Sequence, residues 1–193
     1  IDNNLLIDID NLHVLERIFW WSHIIGIFIF MNYLFYSKHL HIFLAFPNTY
    51  YAKMEEKGKL NNMKSVLNEV KLMLGTQDND YGLNESSENI VFGASDVTDL
   101  SWLQLLNAYT CTECGRCTEA CPANMTGKKL SPRKIMMDTR DRIEEVGRNI
   151  DKNGSFIPDN KKLLGDYISN EELWACTSCN ACVQECPIDI DPL

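Results

Sequence analysis

The chain of 193 residues sets one long apolar block against a long polar remainder. From Ile18 to Tyr36, nineteen residues carry no formal charge, and only Ser22, His23 and Asn32 interrupt them. As a helix rising 1.5 Å per residue this block covers about 28 Å, close to the hydrocarbon thickness of a bilayer. Its ends are aromatic, Phe19-Trp20-Trp21 and Tyr33 to Tyr36, as suits two membrane–water interfaces. Apolar character resumes from Leu40 to Phe46, and Pro47 is expected to end the helix. The pattern predicts a transmembrane helix over 18–46, with a buried core helix as the alternative. A secretory signal fits poorly, because Asp2, Asp8, Asp10 and Glu16 crowd the flank at 1–17.

Beyond the block, 47–100 reads as a polar connector. Met63 to Leu74 places apolar residues at helical spacing and Gly75 stops it. Thr76 to Ser87 (TQDNDYGLNESS) reads as an exposed loop. Asp99 is expected to cap a helix through Trp102, Leu103, Leu105 and Leu106. Ser131-Pro132 starts another, charged along Arg133, Lys134, Asp138, Arg140, Asp141 and Arg142 and broken at Asn153-Gly154. Those charges suit a solvated face, or less commonly a docked partner. Ser169 to Glu172 matches a capping box that opens a helix into Trp174. The expected fold is mainly α: a transmembrane helix followed by an α-helical ferredoxin-like dicluster domain over 101–193.

Candidate chemistry changes the picture most. All eight cysteines fall in two copies of C-x2-C-x2-C-x3-C-P: Cys111, Cys114, Cys117, Cys121 with Pro122, and Cys176, Cys179, Cys182, Cys186 with Pro187. This is the run that binds pairs of [4Fe–4S] clusters, the fourth cysteine of each ligating the other cluster. A cubane wants a soft thiolate at each of four iron corners. The spacing therefore assigns Cys111, Cys114, Cys117 and Cys186 to one cluster, and Cys176, Cys179, Cys182 and Cys121 to the other. The runs repeat at an offset of 65 residues, with Gly115 and Asn180 at equivalent places. Both residue types accept positive φ, so a left-handed turn aiming N–H groups at sulfur is expected at each. Structural zinc and a disulfide framework are the alternatives; neither calls for a triplet followed by C-P.

Charge adds direction. The balance of 18 Lys+Arg against 27 Asp+Glu gives −9, and no basic patch interleaved with aromatics suggests nucleic acid. Lys53, Lys57, Lys59 and Lys64 follow the block, against Arg17 before it. The positive-inside bias places the C-terminal side in the cytoplasm, where thiols stay reduced for cluster assembly. No acid/base pair or nucleophile stands out, which favours redox relay over bond chemistry. The chain has no initiator Met and stops six residues after Pro187, so it reads as a piece of something longer.

His23 and His41 lie 18 residues apart, five whole turns of one continuous helix, which would put both on one face about 27 Å apart. Each could ligate one of two haems, the opposite ligands coming from elsewhere; packing within a bundle is the alternative. R-x(5)-H (Arg17, His23) followed by YSKHLHI (Tyr36 to Ile42) resembles the last haem-bearing helix of the nitrate reductase gamma-type cytochrome b. That resemblance implies haem b at His23 and His41, although the preceding helices of that family are absent here.

The segments FGASDVTDLSWLQLLNAYTCTECGRCTEACPAN (Phe92 to Asn124) and LSPRKIMMDTRDR (Leu130 to Arg142) resemble membrane-bound, heterodisulfide-reductase-like iron–sulfur oxidoreductases. In that family a gamma-type cytochrome b region joins a dicluster domain, and cysteine-rich CCG modules, missing here, usually follow. A succinate dehydrogenase subunit fits less well, since no [2Fe–2S] cysteines precede and the second run is not a [3Fe–4S] variant. The resemblance implies a relay on a prokaryotic inner membrane. Electrons would pass between quinone with b haems and two [4Fe–4S] clusters, in contact with lipid and other redox subunits. A haem-free membrane-anchored adaptor and a cluster-based redox sensor are the rival readings.

Overall fold

The computed structural model describes residues 9–54, 64–75 and 93–192; the loop expected at 76–87 lies outside them. Among the described residues the architecture is helical with no β-strand, the isolated bridge Leu164–Ile168 apart. The chain divides into two compact units, Ile1–Phe43 and Leu44–Leu193.

In the first unit, α1 (Ile9–Leu34) contains one helix long and apolar enough to cross a membrane, Asn11–Leu34. Its 24 residues reach about 36 Å. Apolar side chains such as Trp20, Phe28 and Phe30 stand exposed along it. The expected 18–46 helix is therefore corrected at both ends. Helical geometry propagates back through the charged flank. At the other end it tightens through Tyr36 N–H to Tyr33 O (3.0 Å) and Ser37 N–H to Leu34 O (3.2 Å). Ser37 is then extended (φ −115, ψ 164), and its hydroxyl accepts from the His39 N–H to cap a short 3₁₀ turn, Lys38–Leu40.

One extended residue resets the helical phase. His23 on α1 and His41 at the start of α2 (His41–Tyr50) thus do not share a face of one helix, and the five-turn argument fails. Pro47 does not stop α2 but lies inside it. Its missing N–H removes one bond, yet Tyr51 N–H still reaches Pro47 O at 3.0 Å. The next residue is fixed from outside the helix: Asn48 Nδ2 donates to Ile188 O at 2.8 Å. A tertiary anchor here outweighs the local break.

In the second unit, α3 (Lys64–Met73) ends at Gly75, φ +64, as its periodicity predicts. The cap of α4 (Trp102–Thr110) is Ser101 paired with Gln104, not Asp99. Asp99 turns back instead and accepts from the N–H groups of Ser95 (2.9 Å) and Asp96 (3.1 Å), closing a 3₁₀ turn at Val97–Asp99. Then come α5 (Arg116–Glu119), α6 (Pro122–Met125) and the long α7 (Pro132–Asn153). Ser131 caps α7, and Gly154 ends it in the left-handed region (φ 77), both as predicted. A turn at Leu163–Tyr167 leads into α8 (Asn170–Trp174), opened by the Ser169/Glu172 capping box, and α9 (Ala181–Gln184).

The buried face of α7 runs Pro132, Met136, Thr139, Arg142, Val146, the 3–4 spacing of a core stripe. Val146 packs with Val97, Leu163 and Ile168, and Met136 with Ala108 and Ile190. Arg142 in this stripe is 0% exposed. Its guanidinium bonds both oxygens of Asp96 (2.9 and 2.7 Å), both of Asp159 (2.6 and 2.9 Å) and the Lys161 carbonyl (2.8 Å). One cation thus joins the lead-in to α4, the centre of α7 and the lead-in to α8. Lys134 pairs with Asp138 and Glu172, and Arg140 with Glu113. The solvated face expected of α7 is therefore corrected. Much of its charge is turned toward neighbouring segments of the same chain.

Candidate metal centres

The two cysteine runs adopt one backbone. Each loop carries a left-handed residue two places after its first cysteine, Glu113 (φ 58) and Ser178 (φ 51), and another four places after, Gly115 (φ 87) and Asn180 (φ 61). The latter two are the turns expected from sequence. Space does not demand glycine at 115, since a Cβ there would meet only Arg133 Nη1 at 3.8 Å; the backbone angle does. Helices α5 and α9 begin immediately afterwards and pack against each other, so the loops are held side by side.

These turns direct donors at sulfur. Ser178 N–H reaches Cys176 Sγ at 3.4 Å, and Ile190 N–H reaches Cys186 Sγ at 3.4 Å. The Glu113 N–H acts on Cys111 in the same way. The sulfur-directed N–H groups therefore include the first left-handed residue of each loop, a place the sequence reading did not single out. Charge-bearing sulfur gains from such donors.

All eight cysteines are free thiols. Cys111, Cys114, Cys117 and Cys186 line one pocket, together with Cys182. Cys111 and Cys186 also share a packed cluster with Ile190. Cys121 is buried with Ala123 and Leu130, and Cys176 packs against that group. Each distal cysteine thus meets the opposite run. Cys182 stands between the sets, within electrostatic reach of both Cys176 and Cys117. Among the described residues no group of three or more His, Cys, Asp or Glu converges on a single metal ion.

Burial pushes the Cys182 thiol up to about 11 and raises Cys111 and Cys117; the Ala181 N–H lowers Cys179. The buried thiols are therefore protonated when free, and iron must displace their protons on binding. As a donor set, eight soft sulfurs on two matching loops fit iron–sulfur ligation.

Both approaches are pinned. Thr118 Oγ1 lies 2.9 Å from Ser131 Oγ and accepts from the Arg133 N–H at 3.3 Å, fastening α5 to the start of α7. Asn48 and Lys53 hold the tail after Cys186, at Ile188 O and at Asp191 (3.3 Å).

Residues 110–190 match the family model described as a 4Fe-4S dicluster domain. The chain carries that domain. Its eight cysteines are the donors for two [4Fe–4S] clusters. Among curated proteins, the probable iron-sulfur-binding oxidoreductase FadF of Bacillus subtilis is 30% identical, over 91% of this chain and 26% of that protein. The EtfAB:quinone oxidoreductase of Syntrophomonas wolfei is 27% identical, over 95% and 25% respectively. A probable membrane-anchored ferredoxin of Chromohalobacter salexigens is 33% identical, over 51% and 17%. Iron-sulfur subunits C of CoB–CoM heterodisulfide reductases also match, over just the dicluster half, in keeping with that resemblance. The chain spans about a quarter of the length of the first two relatives. No solved structure matches.

His23 and His41 both fall in the first unit. His41 Nδ1 lies 2.6 Å from Lys38 O, and no second histidine is brought opposite either ring among the described residues. The fold does not by itself build a haem site. Sequence reasoning also missed Asn48, Arg142, and the arginines 116 and 133 that line the cysteine pocket.

Proposed function

We propose that this chain is the membrane-anchored relay of an iron–sulfur oxidoreductase, passing single electrons between a membrane-side carrier and a catalytic module. The observation that carries the reading is the pocket lined by Cys111, Cys114, Cys117 and Cys186, drawn from both runs. Those four hold one [4Fe–4S] cluster; Cys176, Cys179, Cys182 and Cys121 hold the other. When bound, the clusters store and release electrons. The chain's own residues supply thiolates, aim N–H groups at sulfur and keep the two loops adjacent.

The helix α1 crosses the membrane in this reading, supported by its length and by the relative named a membrane-anchored ferredoxin. The lysines after it favour a cytoplasmic dicluster domain. Quinone as the membrane-side carrier is supported by the relative named a quinone oxidoreductase, and other redox subunits or further parts of a longer protein complete the path. Expressed in bacteria, the chain is expected to stay in the membrane pellet after alkaline carbonate washing. A version lacking residues 1–36 is expected to appear in the supernatant with its iron retained. Carbonate release of the full chain would end the spanning claim.

A second reading adds haem b, as the gamma-type cytochrome resemblance implies. It is favoured by His41, whose Nδ1 is engaged by the Lys38 carbonyl, an arrangement that leaves Nε2 available, as in metal-ligating histidines. The opposite ligands would come from outside this chain. Reduced-minus-oxidised absorbance of membranes should then show b-type bands that His23→Ala and His41→Ala each diminish. Spectra unchanged by both substitutions leave the haem-free relay.

A further inference from the structure

The two cysteine loops share a backbone but not their surroundings. Arg116 and Arg133 are the charged side chains among the residues lining the pocket of Cys111, Cys114, Cys117 and Cys186. Arg133 Nη1 lies over the left-handed turn at Gly115, and Arg116 follows it at the first residue of α5. Among the described residues neither guanidinium has a carboxylate partner.

The other loop has no such pair. The residue related to Arg116 by the repeat is Ala181. Cations beside the second run are already matched: Lys129 by Glu171 at 2.7 Å, and Lys134 by Glu172 at 2.9 Å. Arg140, near Cys111, is neutralised by Glu113. The acids adjoining the crossing cysteines balance, Glu119 before Cys121 and Glu185 before Cys186. Beyond Cys186, Asp191 pairs with Lys53 and Asp189 has a partner of its own. Two uncompensated positive charges therefore remain, both on the side of the first run.

Reduction adds one electron, hence one negative charge, to a cluster that is already anionic; no covalent bond is made and no proton moves. A nearby cation stabilises the reduced form more than the oxidised form and so raises the potential. We infer that Arg116 and Arg133 make the cluster of Cys111, Cys114, Cys117 and Cys186 the higher-potential one, where a single electron entering the domain comes to rest. This rests on the crossed ligand sets proposed above.

The test is a dithionite titration of the full chain, loaded anaerobically in detergent and followed by electron paramagnetic resonance. Wild type is expected to show two midpoints. The double variant R116Q/R133Q should lower the higher midpoint alone, by about tenfold in the reduced-to-oxidised ratio, or about 59 mV for a one-electron couple. R116K/R133K should keep both midpoints. R148Q, farther along α7 and paired with Glu144, should move neither. A shift of the lower midpoint, equal shifts of both, no shift, or a single wild-type midpoint overturns the inference. Wild-type chain that fails to load two clusters is detected by iron content before any titration; that result overturns the cluster reading itself and the inference with it.

Discussion

Replacing Cys186 with alanine is expected to remove the cluster whose other three thiolates belong to the first run, although Cys186 is in the second. The structure places Cys186 in the pocket of Cys111, Cys114 and Cys117 and packs it with Cys111. Cys121, at the end of the first run, is buried against the side where Cys176 sits. Ligands from distant chain positions make each cluster a staple between runs, and loss of a ligand then costs folding free energy as well as metal. Iron content should fall by about half in Cys186→Ala and in Cys121→Ala. The discriminating measurement is the spectrum of what survives. Cys186→Ala should match Cys114→Ala, and Cys121→Ala should match Cys179→Ala. If Cys186→Ala instead resembles Cys179→Ala, each run ligates its own cluster and the crossed assignment is wrong.

The second large effect is expected at Arg142, far in sequence from either loop. Its side chain is fully buried and bonds both oxygens of Asp96 and of Asp159. Arg142→Met would leave two carboxylates partly buried without their cation. Breaking a buried pair in this way costs about 3–5 kcal/mol, a large fraction of the roughly 5–15 kcal/mol that holds a domain folded. Both loops should suffer, because the network ties the approaches to α4 and α8 together. The expected result is a lower denaturation midpoint and sub-stoichiometric iron in both clusters. Arg142→Lys, which keeps charge but loses the two-pronged geometry, should fall between. A variant as stable and as iron-replete as wild type would show the network to be incidental.

The pH dependence of this network has a definite sign. Hydrogen bonds from Arg142 are the leading cause holding the Asp159 carboxyl down at about 2, below its unfolded value of about 3.9. A group depressed on folding stabilises the fold above its unfolded pKa and stops doing so as pH falls through the folded one. The stability difference between wild type and Asp159→Asn should therefore be constant from pH 7 to 5 and shrink between about pH 4 and 2. A difference that grows in that window would contradict the assignment.

The chain's order of residues determined its chemistry directly. Cysteine number and spacing specify iron–sulfur ligation because a cubane needs soft thiolates at short, regular intervals, and that requirement is local. The left-handed turns at Gly115 and Asn180, the caps at Ser131 and Ser169 and the stop at Gly154 were legible for the same reason: each depends on one residue's own φ range or side-chain reach. What failed were inferences that carried local geometry across a distance. Helical phase from His23 to His41 held only while the helix was unbroken, and Ser37 interrupts it with one extended residue. Pro47 was read as a terminator because its missing N–H was weighed without the hydrogen bond from Asn48 to Ile188, 140 residues away. Arg142 read as a surface charge, since polarity alone does not reveal that two acids, 46 residues before it and 17 after it, close around it. Which distal cysteine meets which loop was likewise decided by the packing of α5 on α9, since spacing along a chain does not encode where two loops meet in space.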